Sequence, residues 1–172
     1  GNDLSCYGSI VDQEGKGRGI DGDDNGSFVC DIGALEHSLP IMANGSPCDL
    51  TSAIVSANND ASVNGCQPGN GHDIIVLPEN SLQQLNAIQD VSPFTYLGLP
   101  VIFTGISLEG NGSLIERVPT ATGDFDLLMA ADGGQLNLIN STVTGANGNL
   151  GAVSSFNGNV KVLNSTLTAN QS

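Results

Sequence analysis

Apolar positions in this chain follow two different periods. Between Asp49 and Asn58 they fall at Leu50, Ala53, Ile54 and Ala57, the i, i+3, i+4, i+7 spacing of a helix with one apolar stripe. Asp49 stands where an N-cap side chain is wanted, and Asn58-Asn59-Asp60 with the Asn64-Gly65 turn closes the segment. After it, apolar residues come in short runs bounded by turn residues. Asp73 to Leu77, Leu99 to Phe103, Ile106 to Leu108, Leu114-Ile115, Phe125 to Met129, Leu136 to Ile139 and Val160 to Leu163 are predicted strands. Gly110-Asn111-Gly112, Asp132-Gly133-Gly134 and Asn157-Gly158 are the turns between some of them. Residues 1–36 read as loop, and 37–47, with Pro40, Asn44-Gly45 and Pro47, as a connector.

The strand region contains an internal repeat. Gly134 to Thr144 aligns with Gly158 to Thr168 at an offset of 24 residues, with Gly, Asn, Ser and two Thr identical and each aliphatic residue answered by another. A period of that length suits one coil of a parallel β-helix, in which Leu136 would lie over Val160 at a spacing of about 4.8 Å. Asn140 would lie over Asn164, where side-chain amides can bond along the stack. A β-sandwich is the competing architecture. The expected fold is therefore all-β, a parallel β-helix (solenoid) with one short N-terminal capping helix and a disulfide-closed, loop-rich segment.

Composition narrows the function. The chain has 18 acidic and 4 basic residues, a net charge of −14, and a pI near 4.1. Nucleic acid and anionic lipid need a cationic face, so neither is an expected partner. With 39% hydrophobic and 13% charged residues the chain is no disordered acidic tail. No apolar run approaches the roughly 20 residues of a membrane span, and Gly1-Asn2-Asp3 does not open a signal peptide, so the expectation is a mature chain or an excerpt. The four cysteines form two sequence pairs, Cys6/Cys30 and Cys48/Cys66, without zinc-site spacing. Sequential disulfides are the better reading, placing the protein in an oxidising compartment, secreted or at a cell surface. Four buried thiols are the alternative.

Ile20 to Gly26 is the most chemically pointed segment. Asp21, Asp23 and Asn25 before Gly26 reproduce the first half of a calcium loop, in which alternate oxygens converge on a hard cation, and Asp31 can close the shell. Ile32 stands where an EF-hand has Glu, and a solvated acidic turn is the alternative. Candidate catalytic carboxylates are Asp124 with Asp126, at i, i+2 on one strand face, and Glu109 with Glu116 around the Gly-Asn-Gly turn. Such acids more often decorate a solvated coil, and neither His37 nor His72 belongs to a nucleophile motif, so a non-enzymatic chain is expected. The Asn-X-Ser/Thr sequences at Asn25, Asn44, Asn111, Asn140, Asn164 and Asn170 read as turns and ladders.

Residues 46–172 carry a family resemblance. Cys48-Asp49-Leu50-Thr51-Ser52-Ala53-Ile54, Ala57-Asn58, Cys66, Pro68-Gly69-Asn70-Gly71 and Asp73-Ile74-Ile75-Val76-Leu77-Pro78 resemble the CSLREA domain, which opens many secreted bacterial right-handed β-helix proteins. Leu108-Glu109-Gly110-Asn111-Gly112, Ile115-Glu116-Arg117 and the two Asn-Ser-Thr segments continue it, while Thr51 and Ser52 replace the family's Arg and Glu. Residues 2–36, with Asn2 to Cys6, Asp12 to Gly15 and Cys30 to Glu36, look like the closing segment of choice-of-anchor surface proteins, which there follows the β-helix. Here it precedes the opening motif.

The resemblance implies three segments: a closing segment at 1–36, a connector at 37–47, and a capping helix with β-helix at 48–172. The permuted order implies either a window from a tandem array or subunits stacking head to tail, with residues 1–36 of one copy completing the last coil of its neighbour. The expected function is a non-catalytic surface structural protein forming extracellular filaments with copies of itself. An adhesin binding surface glycans is the alternative, and a polysaccharide lyase or hydrolase the third.

Overall fold

The structure is a computed structural model, and it describes residues 39–171. Cys6, Cys30, His37 and the candidate calcium ligands Asp21, Asp23, Asn25 and Asp31 lie outside the described residues. The elements in chain order are β1 (Ile41–Met42), α1 (Leu50–Asn59), β2 (His72–Val76), β3 (Leu82–Leu85), β4 (Asp90–Val91), β5 (Tyr96–Leu97), β6 (Gly105–Arg117), β7 (Leu128–Ala131), β8 (Gln135–Thr144), β9 (Val153–Phe156), β10 (Asn159–Leu163) and β11 (Thr166–Thr168).

α1 forms as its stripe predicts. Leu50, Ala53, Ile54 and Ala57 are all buried, the Asp49 carboxyl accepts from the Ser52 amide at 2.7 Å, and Asp60 ends the helix in a left-handed conformation. Asn58 then ties it to the chain beyond β5, donating to the Val101 carbonyl at 2.7 Å and accepting from the Phe103 amide at 3.0 Å. Cys48, just before the helix, is bonded to Cys66 just after it, as the second expected pair. Replacing both cysteines with serine is expected to lower the urea-unfolding free energy by roughly 3 kcal/mol, the chain-entropy value for a loop of this length. A loss well under ~1 kcal/mol would show that the unfolded chain is not what the bond restrains.

The main sheet runs β1-β2-β6-β8-β10, with β3 also beside β6 and β11 beside β8, and every pairing in it is parallel. Parallel neighbours cannot be joined by a tight turn, so the chain leaves the sheet and returns between them. The excursion from β6 to β8 carries β7, the one from β8 to β10 carries β9, and β7 and β9 themselves pair in parallel. Leu136 is paired with Val160, at the offset that the sequence alignment gives.

Register lines up the core. Ile41, Ile75, Leu108, Leu138 and Val162 form one row across the strands. Gln83, Ile115, Val143 and Leu167 form another. Alternate residues of a strand face opposite sides, so a row of one kind stays on one face. Phe125, Leu127, Leu128 and Ala130 close the core from the far side.

Several expectations shift. Ile106 to Leu108 and Leu114-Ile115 belong to one long strand, β6, with a register irregularity between Glu109 and Ser113. Leu99 to Phe103 contributes only a single bridge, Ile102 to Ala130, and the strand expected at Phe125 begins at Leu128. Within the segment read as a connector, Ile41 and Ala43 are buried and Ile41–Met42 pairs with β2. Asn111, Asn140 and Asn164 are all left-handed, with φ of 51°, 52° and 48°, a conformation asparagine tolerates better than other residues with a Cβ. The bonds between strands at this corner run largely through the adjoining serines. The Ser81 amide donates to Ser113 Oγ at 3.1 Å and the Ser141 amide to Ser165 Oγ at 3.0 Å, while Asn111 Nδ2 reaches the Leu77 carbonyl.

Candidate functional site

The strands β8 and β10 have near-equivalent sequences and opposite environments. Leu136, Leu138 and Val143 in β8 are buried, with Leu138 and Val143 at 0% exposure. Their partners one strand further on are not: Val162 is 40% and Leu167 45% exposed. Sequence alone directs these residues inward. What differs is the neighbour: β8 has β6 on one side and β10 and β11 on the other, whereas β10 and β11 pair only with β8 among the described residues. Their outer backbone edges therefore present unpaired donors and acceptors. Phe156 on β9 and Leu150 before it are exposed at the same end of the strand series.

Charge singles out this edge too. All 18 acidic residues lie at or before Asp132, and Lys161 is the sole charged side chain after it. A shallow depression of about 320 Å³ runs across the turn beside it, lined by Asn111, Asn140, Thr142, Asn164 and Thr166. The surface is an uncharged amide and hydroxyl row flanking an apolar strip with open backbone groups. It can accept a β-strand.

The carboxylates singled out from sequence do not come together as a catalytic pair. Asp126 is 0% exposed, and its oxygens accept from the amides of Leu150 at 3.0 Å and Gly151 at 2.8 Å. Asp124 lies outside any strand, with its side chain 73% exposed, and contacts Arg117 at 3.6 Å and the Asn147 amide at 2.6 Å. Their roles differ because the chain is irregular here, so i, i+2 spacing no longer places two side chains on one face. Glu116 accepts from Gln84 at 2.8 Å. His72 Nε2 lies 3.1 Å from Ser107 Oγ. Among the described residues there is no group of three or more His, Cys, Asp or Glu that could hold a metal ion.

Sequence reasoning missed Asp73, a buried carboxyl accepting from the Asn70 amide at 2.7 Å, which sits in the row of Ile106, Leu136 and Val160. It also missed the exposed aromatics. Phe94, Tyr96, Phe103 and Phe156 are all at the surface, and Phe125 alone of the described aromatic residues is buried. Compared with protein-family models, with curated proteins and with solved structures, the chain matches none.

Proposed function

We propose that the chain is a non-catalytic structural protein of the extracellular space or cell surface: a right-handed parallel β-helix that extends head to tail through further copies of itself. The observation that carries this reading is the contrast in burial between β8 and its repeat. Val162 and Leu167 are inward-type residues that pair with no further strand among the described residues, and a parallel strand of the same pattern would bury them as β10 and β11 bury Leu138 and Val143.

The register supports the solenoid part of the reading, since each excursion returns to the same sheet one position further along. Charge supports the polarity of stacking. The acid-free β10–β11 edge meeting an acid-rich surface of the next molecule avoids like-charge repulsion, and a contact between unlike surfaces whose rotation does not close builds a filament. The Cys48–Cys66 disulfide and the lack, among the described residues, of a helix able to cross a membrane are compatible with that location.

The test is light scattering and electron microscopy of the full chain over a concentration series. Rising mass and fibres with a regular axial repeat are expected, and the paired change Val162→Lys with Leu167→Lys should return the protein to monomer with its circular dichroism unchanged. A wild-type chain that stays monomeric at about 1 mM sinks the stacking reading, since even a weak specific contact is populated there.

A further inference from the structure

A second surface has the features of a ligand groove. The β4–β5 hairpin, the turn at Gly123-Asp124 and the loop at Gly148-Asn149 enclose a cleft of about 310 Å³. Its wall is Tyr96, 52% exposed, on a short strand held from behind by the Asp126 amide, which donates to the Tyr96 carbonyl at 2.9 Å. Tyrosine with a half-exposed ring is an apolar face with a polar rim, suited to a ligand that is itself apolar on one face and hydroxylated at its edge.

Two polar side chains in the cleft are fixed before any ligand arrives. Asp124 Oδ1 takes both the Arg117 and the Asn147 contacts, which leaves Oδ2 to accept a further hydrogen bond. Asn149 Nδ2 donates to the Phe94 carbonyl at 3.2 Å, which leaves its Oδ1 as acceptor. The floor is Gly123, with φ of +82°, beside the part-exposed Ile88 side chain, an apolar base under the polar rim. The volume stands at the lower end of small-molecule sites, about 300–1,000 Å³, room for one or two sugar rings.

We propose that this cleft binds a neutral saccharide, with the C–H face of a pyranose ring on Tyr96 and ring hydroxyls on Asp124 and Asn149. Anionic sugars are excluded by the carboxylate at the site and the net charge of −14, because the nearby cation, Arg117, is already engaged by Asp124 and by the Gly123 carbonyl at 2.7 Å. The inference is independent of stacking: it uses none of the residues of the open edge.

The chain has no Trp and two Tyr, so Tyr7→Phe makes Tyr96 the sole tyrosine emitter. That variant is titrated with glucose, galactose, mannose, N-acetylglucosamine, cellobiose and lactose, with galacturonate as the anionic comparator. At least one neutral sugar should give a saturable emission change with Kd at or below about 10 mM, galacturonate should give none, and adding Asn149→Ala or Asp124→Asn should weaken binding by about tenfold. Both changes are at exposed side chains, and unchanged circular dichroism confirms folding. No saturable change with any neutral sugar, equal binding of galacturonate, or undiminished affinity in the Asp124→Asn/Asn149→Ala double variant would each overturn the assignment. Failure here with fibres still present, or the reverse, separates this site from the stacking proposal.

Discussion

Leu138→Ala should lower the unfolding free energy by about 3–5 kcal/mol, while Val162→Ala, its partner in the same row, should cost under about 1 kcal/mol in dilute solution. Both changes shorten an aliphatic side chain on the same face of the same sheet, and Leu138 is 0% exposed where Val162 is 40%. Leu138 is enclosed by Leu108 on one side and Val162 on the other, so removing its branched end leaves a cavity that rigid neighbours cannot refill. Among the described residues Val162 has no second neighbour, and water already reaches it. Urea denaturation at micromolar protein measures both. Equal losses at the two positions would mean that Val162 is covered in solution even when dilute. Repeating the pair at high concentration adds a second readout, because the cost of Val162→Ala should grow wherever copies associate.

Asp126→Ala should cost a comparable amount, about 3–5 kcal/mol, by a different route. The Asp126 carboxyl gathers the amides of Leu150 and Gly151 from the loop that leads into β9, and its own amide donates to Tyr96. It is a fully buried side chain that holds the backbone of the Leu150-Gly151 loop, while the bond to Tyr96 is made by backbone and survives the change to alanine. Alanine strands two amide donors in a tight loop that passes against the vacated site, and replacing them with water there recovers only part of the loss. Asp126→Asn keeps the shape but turns one acceptor into a donor facing an amide, so it should fall between wild type and alanine. Hydrogen exchange supplies the local check: the Leu150 and Gly151 amides should lose protection in the alanine variant before the β8 amides do. Uniform loss of protection across both regions would show that Asp126 does not act locally on this loop.

These two positions also show what the sequence reveals and what it hides. α1 is legible because four apolar residues at helical spacing sit behind an aspartate cap, and all are buried. The pairing of β8 with β10 is legible because the repeat preserves every aliphatic position. β3 is not, since Leu82-Gln83-Gln84-Leu85 lacks the alternation of a half-buried strand. Gln83 occupies a core row and answers for its amide by donating to Ser81 Oγ at 2.9 Å. The β4–β5 hairpin is hidden for a related reason. Its strands are two residues each, and its turn is organised by Ser92, whose hydroxyl accepts from the amides of Phe94 and Thr95. The role of Asp126 is hidden because nothing in its neighbours predicts burial, and a carboxylate between Phe125 and Leu127 reads as surface until the loop from Gly148 to Gly151 is brought onto it. The edge is half legible: which residues point inward follows from the repeat, but their exposure depends on what stands beside β10 and β11.

The fixed separation of 24 residues between Ser141 and Ser165, and again between Ala146 and Asn170, has an evolutionary corollary. An in-frame duplication of that many codons in this region would insert one more turn of chain without asking any side chain to meet an unfamiliar partner. A residue more or fewer is taken up in the turns, since the offset is 24 from β8 to β10, 25 from β7 to β9 and 33 from β2 to β6, and the rows hold throughout. Inherited size variation here therefore has two scales: whole turns of chain gained or lost within the sheet, and small insertions confined to the segments between strands.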